Sequence, residues 1–314
     1  MTFRAVAAAL VVSLLVVAGC SGGSHSSTSA STSSTSGGLT NNSGDIVDPD
    51  AAGSGTVDTT PVQGVNERHD VHYGPDDHQV MDVYTPDGGG APRPAVIVIH
   101  GGGWSTGSKN LWRHQGVQLA QAGIVAFAID YRLAPASHFP GQLEDAQAAL
   151  QDIRQHAGDY GVEHARIGAL GGSAGGHLAA LLATTGSGPL DTGTRIKAAV
   201  SWSGPMDLRS GRDPGGTEKA TNIVNRFLGC KPATCADLEN QASPIAQIDP
   251  TDAPILLVTA ERDKVDPQQA KDMGAALSAA GVANRVIVVP GAGHSSSYGD
   301  EVWGDTLAWF QQHL

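Results

Sequence analysis

Short apolar runs, each about the length of one strand buried on both faces, recur along this chain and leave it few folds to choose from. Ala95-Val96-Ile97-Val98-Ile99, bounded by Pro94 and Gly101, is the clearest of them. A half-exposed antiparallel strand alternates apolar with polar residues, whereas a central parallel strand needs a continuous run. The same kind recurs at residues 124–129, 167–170, 196–200, 255–258 and 286–289, while 80–84 alternates. Helical stretches fall between them at 143–156, 177–184, 268–280 and 301–313. Strand alternating with helix predicts an α/β chain with a mostly parallel central sheet flanked by helices, whose ligands bind at the carboxyl ends of the strands. The stretch from Gly204 to Ala253 breaks that rhythm, carries two cysteines, and reads as a small insertion or cap.

The N-terminal region follows a different logic. Arg4 precedes an apolar run from Ala5 to Ala18, interrupted only by Ser13. It is too short to span a bilayer but suits the hydrophobic region of a signal peptide. The run ends at Val17-Ala18-Gly19-Cys20, which resembles the lipobox of bacterial lipoproteins. That resemblance implies cleavage before Cys20 and lipidation of its thiol; the alternative is an ordinary cleaved signal and a secreted protein. From Ser21 to Thr40, 17 of 20 residues are Ser, Thr or Gly. Such a stretch buries too little apolar surface to offset its ordering entropy and is expected to act as a tether. The expected organisation is therefore a signal peptide over 1–19, a lipidated tether over 20–61 and one domain over 62–314, with the protein extracytoplasmic and held to the membrane by lipid.

Three cysteines are an odd number for an exported chain. With Cys20 taken by lipid, Cys230 and Cys235 can close a small disulfide loop contributing roughly 2 kcal/mol; the alternative is a pair of buried thiols. A net charge of −12, from 19 basic and 31 acidic residues, repels polyanions, so no nucleic-acid partner is expected.

The chemistry-bearing residues sit where strands end. Gly171-Gly172-Ser173-Ala174-Gly175-Gly176 lies between an apolar run and a helical stretch, which gives the G-x-S-x-G pattern its required strand-turn-helix context. Ser173 is the candidate nucleophile. A phosphate-binding turn is the other reading, but no Walker lysine follows and the glycine spacing does not suit a dinucleotide. His100-Gly101-Gly102-Gly103-Trp104 follows the run 95–99 and offers backbone N–H groups to an oxyanion. A serine needs a base, and the base needs a carboxylate to orient it. Asp263 follows the run 255–259, with Glu261 and Asp266 as rivals better read as solvated charges. His294 follows 286–289 in the glycine-flanked Gly291-Ala292-Gly293-His294. His156, His164 and His313 belong to helices or their ends, and His177 reads as a packed structural residue one turn after Ser173. No H-E-x-x-H or similar metal spacing occurs among the 12 histidines, so no metal or other cofactor is expected.

Together these motifs, with Asp130-Tyr131-Arg132-Leu133-Ala134-Pro135, resemble the α/β-hydrolase carboxylesterases of the hormone-sensitive-lipase-like and feruloyl or acetylxylan esterase-like branches. The resemblance runs from about Arg68 to Leu314. It implies an α/β-hydrolase fold and a small-molecule ester substrate, with the triad Ser173, Asp263 and His294. It also implies oxyanion donors among Gly102, Gly103, Trp104 and Ala174, and a structural role for residues 130–135 behind the site. Hormone-sensitive-lipase-like members usually carry Asp before the nucleophile, where this chain has Gly172; that departure favours the feruloyl-esterase-like branch. Low aromatic content, 5%, argues for short acyl groups. Two rivals stay open: a peptidase or arylformamidase on the same fold, and a non-catalytic binding protein.

Overall fold

A computed structural model describes residues 60–210, 215–231 and 234–314. The expected signal peptide, Cys20 and nearly all of the expected tether lie outside the described residues. The strands are β1 (Val65–His72), β2 (Val80–Pro86), β3 (Arg93–Ile99), β4 (Val125–Ile129), β5 (Val162–Gly172), β6 (Ala199–Trp202), β7 (Ile255–Arg262) and β8 (Asn284–Ala292). They form one sheet in the order β1-β2-β4-β3-β5-β6-β7-β8. β1–β2 and β2–β4 pair antiparallel and every other pairing is parallel, the arrangement of an α/β-hydrolase. The helices are α1 (Arg113–Gln121), α2 (Gly141–Gln155), α3 (Ala157–Tyr160), α4 (Ala174–Thr184), α5 (Glu218–Leu228), α6 (Ala236–Gln241), α7 (Pro244–Gln247), α8 (Pro267–Ala279) and α9 (Gly299–His313).

The continuous apolar runs are explained by two cores, one on each face of the sheet. On β3, Ala95, Ile97 and Ile99 enter one core while Val96 and Val98 enter the other. On β4, Phe127 and Ala128 divide in the same way. Each large side chain removed from water on either face contributes about 1.5–3 kcal/mol, so a polar residue in these strands would be unfavourable on whichever face it pointed to.

The topology decides where a site can form. The chain leaves β3 for β4 on one side, then returns to place β5 on the other, so β3 and β5 are neighbours whose connections diverge. Ligands bind at such switch points. In register, Ile99 lies beside Gly171, so the loop beginning at His100 and the turn beginning at Gly172 leave the sheet side by side.

The expected elements differ from the observed ones in places with identifiable causes. β1, sequence VNERHDVH, is an exposed edge strand whose mixed polarity hides it. The strand expected at 196–200 is β6 at Ala199–Trp202. Lys197 still donates to the Ile167 carbonyl, but the ladder with β5 and β7 begins only at Ala199. His164, expected in or beside a helix, lies within β5, which starts five residues before its apolar run.

Residues between β6 and β7 form the expected cap, built from α5, α6 and α7. Thr217 caps α5 through Oγ1, which accepts from the Ala220 N–H at 3.1 Å, and Gly229 ends it in the left-handed region. Cys230 and Cys235 are disulfide-bonded across the α5–α6 connection.

Candidate active site

The turn after β5 is held by close contacts that only glycine permits. A Cβ on Gly175 would lie 2.0 Å from the Ile99 carbonyl oxygen, because α4 begins against the end of β3. A Cβ on Gly172 would meet Ser295 Oγ at 2.0 Å and the Trp112 ring at 2.6 Å. A side chain here would require Ser295 and Trp112 to shift, so the glycine at this position matches the packing around it. Ser173 sits between them at φ 51°, ψ −119°, a conformation costly for a residue with a side chain. Its N–H donates to the Trp202 carbonyl at 2.7 Å, and its hydroxyl stands at the head of α4.

Three side chains from three strand ends meet at that hydroxyl. His294 Nε2 is 2.9 Å from Ser173 Oγ, and His294 Nδ1 is 2.6 Å from Asp263 Oδ1. The His294 side chain is almost fully buried and that of Asp263 fully so. The ionised Asp263 carboxylate is satisfied from several sides. Oδ1 accepts from the Val265 N–H at 3.2 Å, and Oδ2 from Ser203 Oγ at 2.5 Å, Thr259 Oγ1 at 3.2 Å and the Ala260 N–H at 3.3 Å. The rivals are occupied elsewhere: Glu261 accepts from the Gly291 N–H, and Asp266 caps α8 through the Gln268 N–H. Sequence reasoning does not single out Ser203, Thr259 or Tyr298; for Ser203 the local signal is its place just past a strand end, beside Gly204.

The loop after β3 lies against this line. Gly102, Gly103 and Trp104 all have positive φ, at 100°, 58° and 56°. Gly102 accepts from the N–H groups of Ser105 and Thr106, which closes a tight turn. Among the described residues, the N–H groups of Gly102, Gly103, Trp104 and Ala174 donate to no acceptor, so all four candidates for binding an oxyanion are available. Residues 130–135 brace the loop from behind. Tyr131 donates its hydroxyl to the His100 carbonyl at 3.0 Å and stacks on the His100 ring, and the Ala134 N–H donates to the Trp104 carbonyl at 2.8 Å. Arg132 holds Asp145 in a multidentate pair. Lys109 is buried between Asp82 and Asp70, at 2.9 and 2.8 Å.

The cap closes the other side. The Trp104 ring stacks on Phe227 of α5 at 4.1 Å, and Ile223 of α5 approaches within 3.1 Å of where a Gly103 Cβ would be. His177 is structural, as expected. It is fully buried, its Nε2 lies 2.7 Å from the Ala242 carbonyl, and its ring packs edge-on to Trp104 and Phe227.

Three buried groups and one half-buried, Asp130, give the molecule a distinctive pH response. Burial pushes the His100 and His177 imidazoles down to about 4. Burial pushes the Asp130 and Asp252 carboxyls up to about 6, outweighing for Asp252 the Arg195 guanidinium 3.4 Å away. Between about pH 4 and 6 the folded state refuses two protons that unfolded histidines bind and keeps two that unfolded aspartates release. The histidine contributions rise with pH, the aspartate contributions fall, and across that window they oppose. Asp130→Asn removes one falling contribution. Its stability is expected to rise relative to wild type by about 1.4 kcal/mol per pH unit over this window. Parallel chemical denaturation curves at pH 4.5 and 6 check this; identical shifts for both proteins would refute it.

Comparisons with known proteins agree with the geometry. The BD-FAE family matches residues 81–277. The probable carboxylic ester hydrolase LipM of Mycobacterium tuberculosis is 31% identical over 185 residues, 56% of this chain and 42% of that protein. Esterase LipC of the same organism is 32% identical over 260 residues, 75% of this chain and 63% of that protein. The chain thus spans only about half the length of these relatives. A solved truncated form of a carbohydrate esterase from gut microbiota superposes with a TM-score of 0.69 at 26% identity, covering 80% of this chain and 98% of that one.

Proposed function

The chain belongs to the BD-FAE family, and from that membership and its site geometry we propose that it is a serine carboxylesterase acting on small, short-acyl esters. The observation that carries this reading is the unbroken hydrogen-bonded line from Ser173 through His294 to Asp263, beside backbone N–H groups with no acceptor among the described residues. His294 Nε2 takes the Ser173 proton as Oγ attacks the acyl carbonyl, and the N–H groups of the Gly102–Trp104 loop and Ala174 receive the oxyanion. Preorganised donors of this kind contribute about 3–4 kcal/mol each. The imidazolium, held by Asp263, then protonates the departing alcohol. Water enters by the same route reversed, attacks the acyl-enzyme, and returns the proton to Ser173. The low aromatic content of the chain and the close packing of Ile223 and Phe227 on the oxyanion loop support short acyl groups.

The reading extends to placement: the protein is exported, lipidated at Cys20, and held at the membrane by residues 20–61. Cys20→Ser should release it from the membrane fraction, and an unmodified Cys20 in the intact mass would overturn the anchor.

A fluorophosphonate probe and a series of p-nitrophenyl esters test the activity. Labelling confined to Ser173 and turnover highest for acetate through butyrate are the expected results. Labelling that persists in Ser173→Ala would overturn the nucleophile. Preference for aminoacyl anilides or N-formyl aryl amides would make the enzyme a peptidase or formamidase, and tight binding without turnover would make it a binding protein.

A further inference from the structure

The residue after β6 is bound more closely to the triad than a packing role requires. Ser203 is 2% exposed and adopts φ 54°, in the left-handed region that a non-glycine residue enters only under strain. Its backbone N–H donates to the Val258 carbonyl at 2.7 Å, which fixes it to β7, the strand that carries Asp263. At its hydroxyl, three groups converge. Asp263 Oδ2 lies 2.5 Å away, the Ser295 N–H donates to Oγ at 2.9 Å, and the Tyr298 hydroxyl lies at 2.5 Å. A serine hydroxyl has one proton and two lone pairs. With an ionised carboxylate as neighbour, the proton goes to Asp263, and the lone pairs accept from Ser295 and Tyr298. Tyr298 has one hydroxyl proton, and the Val258 carbonyl at 3.2 Å competes with Ser203 Oγ for it.

One oxygen therefore joins the loop bearing the triad acid to the residue adjoining the triad base. Glycine would relieve the backbone strain at position 203 but would remove this joint. We infer that Ser203 is a positioning residue of the catalytic triad, setting the orientation of the Asp263 carboxylate and its distance from His294 through a single shared hydroxyl. This rests on the reading of Asp263 and His294 as the acid-base pair. Without the Ser203 hydroxyl, Oδ2 keeps only the longer bonds from Thr259 and Ala260, and the Ser295 N–H loses that acceptor. The carboxylate is then free to rotate, and the bond to His294 Nδ1 weakens.

The test uses Ser203→Ala with two readouts. The first is the downfield proton resonance of His294 Nδ1–H in the resting protein, which requires no substrate. It is expected to broaden and exchange faster with water in the variant. The second is steady-state ester hydrolysis, where kcat should fall about 10- to 100-fold, as for a displaced catalytic group, with KM within about twofold. Ser201→Ala is the control: Ser201 is buried on β6, two residues before Ser203, and its hydroxyl has no partner among the described residues. It should leave both readouts unchanged. If Ser203→Ala does not fold, Ser203→Cys keeps the volume while weakening the donor. An unaltered resonance, or a kcat within threefold of wild type despite a lower melting temperature, would reduce Ser203 to a packing residue. A wild-type protein with the resonance but no ester turnover would instead refute the esterase reading and leave the resonance to decide this one.

Discussion

Ser173→Ala is expected to lower kcat for p-nitrophenyl acetate by about 10⁴- to 10⁶-fold, equivalent to about 5–8 kcal/mol of lost transition-state stabilisation. The size follows from the unity of the triad. Ser173, His294 and Asp263 are linked at 2.9 and 2.6 Å, and a base without a nucleophile has nothing to activate. The double variant Ser173→Ala/His294→Ala should therefore be no slower than Ser173→Ala alone. Residual turnover above the water rate would come from the loop N–H groups, which the substitution leaves in place. Comparing kcat among these two variants and His294→Ala checks this; multiplicative losses would mean the two side chains act separately.

Gly175→Ala is expected to be the most damaging single methyl addition in the site. The added carbon would lie 2.0 Å from the Ile99 oxygen and 2.6 Å from the His100 oxygen, and neither backbone atom can swing aside as a side-chain tip can. Relief requires α4 to move off the end of β3, which disturbs the nucleophile turn and the oxyanion loop together. A loss of about 3 kcal/mol or more in unfolding free energy follows, with activity lost as well. Gly158→Ala is the matched comparison, because nothing lies within 4 Å of its Cβ position and its φ is not positive. That substitution should be neutral or mildly stabilising. Equal denaturation midpoints for the two variants would refute the close-packing argument.

The parts of the site legible from sequence are those in which chemistry and chain geometry are local. The Gly171–Gly176 turn, the His100–Trp104 loop and the Gly291–His294 loop each place a strand end, a glycine and a functional group within a few residues. Ser203 and Thr259 hold Asp263 directly and Tyr298 reaches it through Ser203, from the end of β6, from β7 and from the turn before α9, and their convergence depends on strand register, which a linear reading does not contain. Lys109 was hidden for another reason. A lone lysine in a glycine-rich loop reads as solvated, yet it is 5% exposed because Asp82 and Asp70 neutralise it on the flank of the sheet. β1 was missed because its residues satisfy backbone pairing while contributing little to either core.

The stack of Trp104 on Phe227 links two properties that evolution and engineering usually adjust separately. Trp104 belongs to the loop whose N–H groups are the proposed oxyanion donors, and Phe227 belongs to the cap helix α5 that packs on that loop. A lineage that remodels its cap to accept a new ester must keep a flat partner for that indole or else alter the rate-determining electrostatics at the same time. Substrate range is therefore expected to diversify by exchanges on the exposed and half-buried faces of α5 while the aromatic pair persists, and a combinatorial library over α5 that holds residue 227 aromatic should yield far more active members than one that randomises it.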